Sequence, residues 1–105
     1  MQDSSLPPGD ARHGEYKVPG GKLVVIDLCV HANCLRNVAI SGDFFLEPPE
    51  GLDALNHFLE GLPADTPDAE IAAGLAQALP PGSEMFGFSP EAVVVVLRRA
   101  LAQTV

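Results

Sequence analysis

The sequence predicts an α+β fold, a three-stranded antiparallel sheet followed by about three helices packed on one face. Three observations carry this. From Tyr16 to Leu46, runs of β-branched residues are separated by glycine- and asparagine-containing turns, the signature of strands joined as hairpins. From Leu52 onward the apolar spacing lengthens to that of amphipathic helices. Two proline-marked helix starts, Thr66-Pro-Asp-Ala-Glu70 and Ser89-Pro90-Glu91, punctuate the second half. The resulting order, β-β-β-α-α-α, is that of a sheet with its helices segregated to one side.

Residues 1 to about 13 combine Pro7-Pro8-Gly9 with Ser and Asp and have no periodicity, which predicts a flexible N-terminal tail ahead of one domain over 14–105. His13 falls in that tail, where it is expected to be solvated. Glu15-Tyr-Lys-Val18 adds a short strand before Pro19 and the Gly20-Gly21 pair force a turn. The central hairpin pairs Leu23-Val-Val-Ile-Asp-Leu-Cys-Val30 with Leu35-Arg-Asn-Val-Ala-Ile40, across His31-Ala-Asn33. Strict alternation fails once in the second arm, between Leu35 and Val38, and predicts a β-bulge at Arg36-Asn37. With that bulge, Leu35, Val38, Ile40 and Phe44 share a face with Val24, Ile26, Leu28 and Val30; without it, the two apolar sets point apart.

After Glu47-Pro-Pro-Glu50, the spacing of Leu52, Leu55, Leu59 and Leu62, with Phe58 beside it, predicts a helix from about Gly51 to Gly61. A second helix, capped by Thr66 with Pro67 at its first position, runs to about Leu79. Pro80-Pro-Gly-Ser83 and the apolar connector Glu84-Met-Phe-Gly-Phe88 lead to a third helix from Pro90 to about Gln103. Its Ala92-Val-Val-Val-Val-Leu97 run is apolar almost all round, which predicts burial on two sides or against another protein. Arg98 and Arg99 near its end complement the helix dipole, a sufficient reason for their presence.

One domain of 105 residues has a small core, burying about 60 to 70% of its unfolded surface, which favours a binding or accessory module over a deep active site. Six Lys and Arg against fourteen Asp and Glu give a formal charge of −8, which argues against nucleic acid or an anionic membrane as partner. No apolar run reaches the roughly 18 residues of a spanning helix, and the N-terminus lacks the order of a signal peptide, so a cytoplasmic protein is expected. Cys29 and Cys34 lack the Cys-x-x-Cys spacing of a redox or zinc site. A strained disulfide, or a metal half-site with His31, competes there with the plainer reading of reduced thiols filling space.

No catalytic constellation is present: no Ser-His-Asp or Cys-His arrangement with local support, no metal-ligand spacing, no nucleotide fingerprint. His57 reads as a surface or half-buried helix residue, Asp27 as a strand carboxylate facing away from the apolar set, and Asp43 as a turn cap. Phe44 and Phe45 cannot share one side of a regular strand, so one is a candidate docking anchor. Lys17-Val-Pro-Gly-Gly-Lys22 brings two ammonium groups to a glycine turn whose N–H groups suit an anion, although a plain turn with solvated lysines explains the same residues. It lacks P-loop spacing and precedes a strand instead of a helix.

Tyr16-Lys-Val-Pro-Gly-Gly-Lys-Leu23, the hairpin, Asn37-Val-Ala-Ile-Ser-Gly-Asp-Phe-Phe45, a Pro/Glu-rich link, a Leu-rich helix and Gly87-Phe-Ser-Pro-Glu91 together resemble the C-terminal accessory domain of lipoate-protein ligases. The resemblance spans roughly Glu15 to Leu101. With only a short tail ahead of it, the chain looks like the free-standing small subunit of a split ligase. The resemblance implies a fold similar to NifU-type iron–sulfur scaffolds and SufE-type sulfur acceptors. It also implies a non-catalytic role beside a separate large chain, which would hold ATP, magnesium and lipoate, form lipoyl-adenylate and transfer the lipoyl group to a carrier-domain lysine. A heterodimer follows from this, as do partner- or phosphate-contact candidates at Tyr16, Lys17, Gly20, Gly21, Lys22, Ser41, Gly42, Asp43, Phe44 and Phe45. The resemblance leaves two roles for Lys17 and Lys22, approach to ATP phosphate or binding of an acidic patch on the catalytic chain. Against the scaffold alternative, Gly20-Gly21 and Asp43-Phe44 stand where cluster-binding cysteines would be needed. An unrelated small interaction domain is the remaining alternative.

Overall fold

The computed structural model of the chain describes residues 11–102. Strands β1 (Ala11–Lys17), β2 (Leu23–His31) and β3 (Cys34–Gly42) form an antiparallel sheet in the order β1-β2-β3. A second, two-stranded ribbon joins β4 (Phe45–Glu47) to β5 (Glu84–Phe86). Helices α1 (Glu50–Leu59), α2 (Asp68–Ala78) and α3 (Pro90–Leu101) complete the α+β fold. The predicted tail and first strand differ from what is observed. Strand β1 begins at Ala11, so Ala11, Arg12 and His13 belong to the sheet, because the full seven-residue register against β2 is available to them. The rest of the expected tail, residues 1–10, lies outside the described residues.

The bulge sits one position from its predicted place. Asp27 pairs with Ala39 and Cys29 with Arg36, so Asn37 and Val38 together oppose Leu28. Asn37 adopts φ 56°, a left-handed conformation that asparagine tolerates better than most residues. The Glu60 carboxylate accepts the otherwise displaced N–H groups of Asn37 at 3.0 Å and Val38 at 3.1 Å. This resets side-chain parity: Leu35, Val38 and Ile40 are buried with Val24, Ile26 and Leu28, and Val30 and Phe44 pack at the margin.

Helix α3 lies across β1 and β2, α1 packs on β3, and α2 rests on the other two helices. Gly14 lets α3 approach: a β-carbon there would stand 2.6 Å from the Val96 carbonyl oxygen and 2.9 Å from the Ala100 nitrogen. The apolar run of α3 is buried at Ala92, Val93, Val94, Val96, Leu97 and Ala100, between sheet and α2. Ser89 caps α3, its Oγ accepting from the Ala92 N–H at 3.2 Å with Pro90 in the first turn. Thr66 does not cap α2. Its hydroxyl donates to the Pro63 carbonyl at 2.7 Å, and Pro67, extended at ψ 145°, takes the cap position without a side-chain bond.

Arg98 ties the loop before α2 to α3. Its Nη1 donates to the Ala64 carbonyl at 3.0 Å, its Nη2 to the Thr66 carbonyl at 2.5 Å, and its Nε to Asp68 at 2.5 Å. Arg99 lies 4.8 Å over the Tyr16 ring and donates to the Glu15 carbonyl. Both arginines therefore do more than complement a dipole. Cys29 and Cys34 are half-buried free thiols with no disulfide between them. Among the described residues, no helix is long and apolar enough to cross a membrane.

Candidate functional site

The antiparallel order places the β1–β2 turn and the β3 exit at the same end of the sheet. Lys17 pairs with Leu23 and Val24 with Gly42, and the Asp43 N–H donates to the Leu23 carbonyl at 3.0 Å. The expected contact residues from Tyr16 to Lys22 and from Ser41 to Phe45 are thus neighbours in space. Ser41, Gly42 and Asp43 are exposed, and Tyr16 is half-buried beneath Arg99.

The glycine turn is closed on itself. The Gly21 N–H donates to the Val18 carbonyl at 2.8 Å, the Val18 N–H to the Lys22 carbonyl at 3.0 Å, and the Lys22 N–H to the Gly87 carbonyl at 2.9 Å. Lys17 turns its ammonium back onto the Gly21 carbonyl at 2.8 Å and the Val18 carbonyl at 3.3 Å. Two of the turn's N–H groups and the Lys17 charge are therefore committed within the turn, while Lys22 is exposed with no side-chain partner among the described residues. Gly87 is required beside it: φ is +89°, and a β-carbon would stand 2.4 Å from the Lys22 Cγ.

The two phenylalanines part company as strand geometry requires. Phe44 stacks on Phe88, ring centroids 3.9 Å apart and planes at 23°, so it belongs to the core margin. Phe45 is 68% exposed, and Phe86, directly opposite it in the ribbon, is 47% exposed. Among the described residues these are the two exposed large apolar side chains. Sequence reasoning missed Phe86. A faint signal exists in Glu84-Met-Phe86, an acid followed by two apolar residues, which is Phe45-Leu-Glu47 in reverse order of type.

Other features lie away from this end. His13 sits on the open face of the sheet, with Nε2 2.8 Å from Glu15 and Nδ1 2.6 Å from Asp27, and these carboxylates raise its pKa above 6.5, Glu15 contributing most. An open groove of about 600 Å³ between α2 and α3 is lined mainly by alanines and valines, with Glu91 and Asp68, the latter bonded to Arg98, as its two acids. His57 and His31 are exposed. Among the described residues, no three His, Cys, Asp or Glu side chains gather as a metal site.

An end that presents two aromatic rings, a tight turn and a lysine with no side-chain partner among the described residues has the chemistry of a docking surface. No family model matches this chain, and no curated protein matches it. Among solved structures it is similar to a chain from an archaeal lipoylation system, described as a bi-partite lipoate protein ligase and its E2 lipoyl domain from Thermoplasma acidophilum. The likeness has a TM-score of 0.63 and 25% identity, and covers 84% of this chain and 92% of that one. The structural relationship is therefore to a component of a lipoylation system.

Proposed function

We propose that this chain is the non-catalytic accessory subunit of a split lipoate-protein ligase. It pairs with a separate catalytic chain and supports ATP-dependent activation of lipoate to lipoyl-adenylate for protein lipoylation. The observation that carries this reading is the likeness, over nearly all of both chains, to a component of a bi-partite ligase system. The gathering of Lys22, Phe45 and Phe86 at one end supplies the surface such pairing needs.

Lipoyl-adenylate is a mixed anhydride that water destroys, so a subunit docked over the catalytic chain's site acts by excluding solvent and fixing the closed state. ATP, magnesium and lipoate then belong to that chain's site. The residues here fit contact with the catalytic chain better than a phosphate cradle, because the Lys17 ammonium and the Gly21 and Lys22 N–H groups are already bonded. Lys22 is the cation left to meet an acidic patch.

Reconstitution with the catalytic chain from the same genome tests this. Adenylate formation should require both chains, whereas transfer from preformed lipoyl-adenylate should not, and replacing Lys17 and Lys22 together with alanine should lower the first and spare the second. Unchanged adenylation without this subunit would sink the reading. The same mixture, supplied with ATP and lipoate, separates a subunit from a carrier. A carrier would gain the mass of a lipoyl group at Lys17 or Lys22, the two lysines of the sequence, and a subunit would keep its mass.

A further inference from the structure

The β4–β5 ribbon presents four side chains outward: Phe45, opposite Phe86, and Glu47, opposite Glu84. Leu46 and Met85, between them, face inward and pack against the core. The aromatic pair is a favourable cross-strand arrangement in itself. The glutamate pair is not, since like charges directly opposite in a ladder repel, and neither carboxylate has a counter-ion among the described residues. Nothing in the packing of the chain calls for two acids there, because both are exposed. Beyond the Phe86 end, Gly87 sits against Lys22. The ribbon thus reads, along its length, as one cation, two exposed rings and two carboxylates.

We infer that this outer face of the ribbon is a polarised docking strip. Its occupant is a segment of a partner polypeptide carrying an acidic residue, an apolar anchor and a Lys or Arg in that spatial order. The anchor covers Phe45 and Phe86, the partner's cation settles between Glu47 and Glu84, and the partner's acid meets Lys22. The net charge of the chain selects this occupant over a second copy, which would oppose two molecules of −8 each. In a two-fold pairing the same strip must face itself, and it aligns cation with carboxylate only when two strips run antiparallel, a geometry that would leave the four rings to pack as a dimer core. The acidic balance of the chain, −8 overall, favours instead a partner with basic character. This assignment rests on the accessory-subunit reading, in which the partner is the catalytic chain.

The test is titration calorimetry of the full chain with that catalytic chain, at several salt concentrations. Phe45→Asp and Phe86→Asp should each raise Kd at least about tenfold while leaving the circular dichroism melt in place. The double change Glu47→Gln with Glu84→Gln should also raise Kd and flatten its dependence on salt, while keeping or raising the melting temperature, because the repulsion within the ribbon is removed. A merely structural pair would show the second effect without the first. Wild-type binding with all variants within twofold of it overturns the strip and leaves the accessory role standing. No binding by the wild-type chain overturns both. A dimer of this chain in sedimentation that Phe45→Asp dissolves would assign the strip to self-association and overturn the heterologous partner.

Discussion

Replacing Arg98 decides whether this residue's contribution to stability is a helix-dipole effect or a directional fork. A cation in the last turn of a helix contributes about 0.3–1 kcal/mol, and lysine supplies that as well as arginine. The fork is different. Arg98 donates to two backbone carbonyls and one carboxylate, from a side chain 34% exposed. Allowing about 1 kcal/mol for each carbonyl bond, and about 0.5 kcal/mol for a solvent-screened ion pair, gives roughly 2–3 kcal/mol for Arg98→Ala. Lysine offers a point charge that reaches one acceptor at a time, so Arg98→Lys should still lose about 1–2 kcal/mol. In a domain of this size that is a fall in melting temperature of roughly 4–8 °C per kcal/mol. Urea unfolding followed by far-UV circular dichroism, with an unchanged slope, measures it. Arg98→Lys within about 0.5 kcal/mol of wild type would refute the fork and restore the dipole as the whole explanation.

Two further expectations use the same unfolding assay. Phe44→Ala removes a ring stacked on Phe88 and should cost about 2–3 kcal/mol, whereas Phe45→Ala should stay within about 0.5 kcal/mol; equal losses would contradict the division of labour between the two rings. For His13, Glu15 and Asp27 raise the folded pKa above 6.5, so its contribution to stability is fully present below about pH 6.5 and disappears as pH rises through the raised value. The difference in urea midpoint between wild type and His13→Asn should therefore shrink across that window. An imidazole titration midpoint at or below 6.5 by NMR would contradict it.

The hairpin and its bulge were legible because parity is a strict rule. Leu35 and Val38 cannot both face a core without one extra residue between them, and Asn37 is the residue that bears the left-handed backbone. The bulge's stabiliser was not legible, since Glu60 is more than twenty positions away and looks like any acid at a helix end. The β4–β5 ribbon was hidden for a related reason. Three-residue strands carry almost no periodicity, and their pairing across the helices is set by where α1 and α2 return the chain. Hence one of Phe44 and Phe45 was visible as a candidate anchor, by the impossibility of burying two adjacent strand residues on one side, without its being legible which, while Phe86 was read as part of a connector. At Thr66 the local pattern was right and the geometry wrong: the hydroxyl found the Pro63 carbonyl three residues back, a short-range competitor that helix-start statistics do not weigh.

Where a partner strand or loop could add to this fold is narrowed by how the main sheet treats its edges. Open edges invite pairing, and proteins blunt them. On the β3 side, the Ile40 N–H donates to Asn56 at 3.0 Å, the Asn37 and Val38 N–H groups to Glu60, and the Leu35 N–H to the Leu62 carbonyl at 2.9 Å, so α1 and its following loop occupy the edge. On the β1 side, Arg99 takes the Glu15 carbonyl, and α3 lies against Gly14 so closely that a β-carbon would meet its backbone. Glu15 and Lys17 add charge to that edge. The ribbon receives no such treatment. It is short, its outer face carries the exposed aromatic pair, and its charged residues repel one another instead of closing ion pairs. Among the described residues, three side chains, those of Asn56, Glu60 and Arg99, seal the edges of the main sheet and none seals the ribbon, which lies at the end that also carries the Lys22 turn.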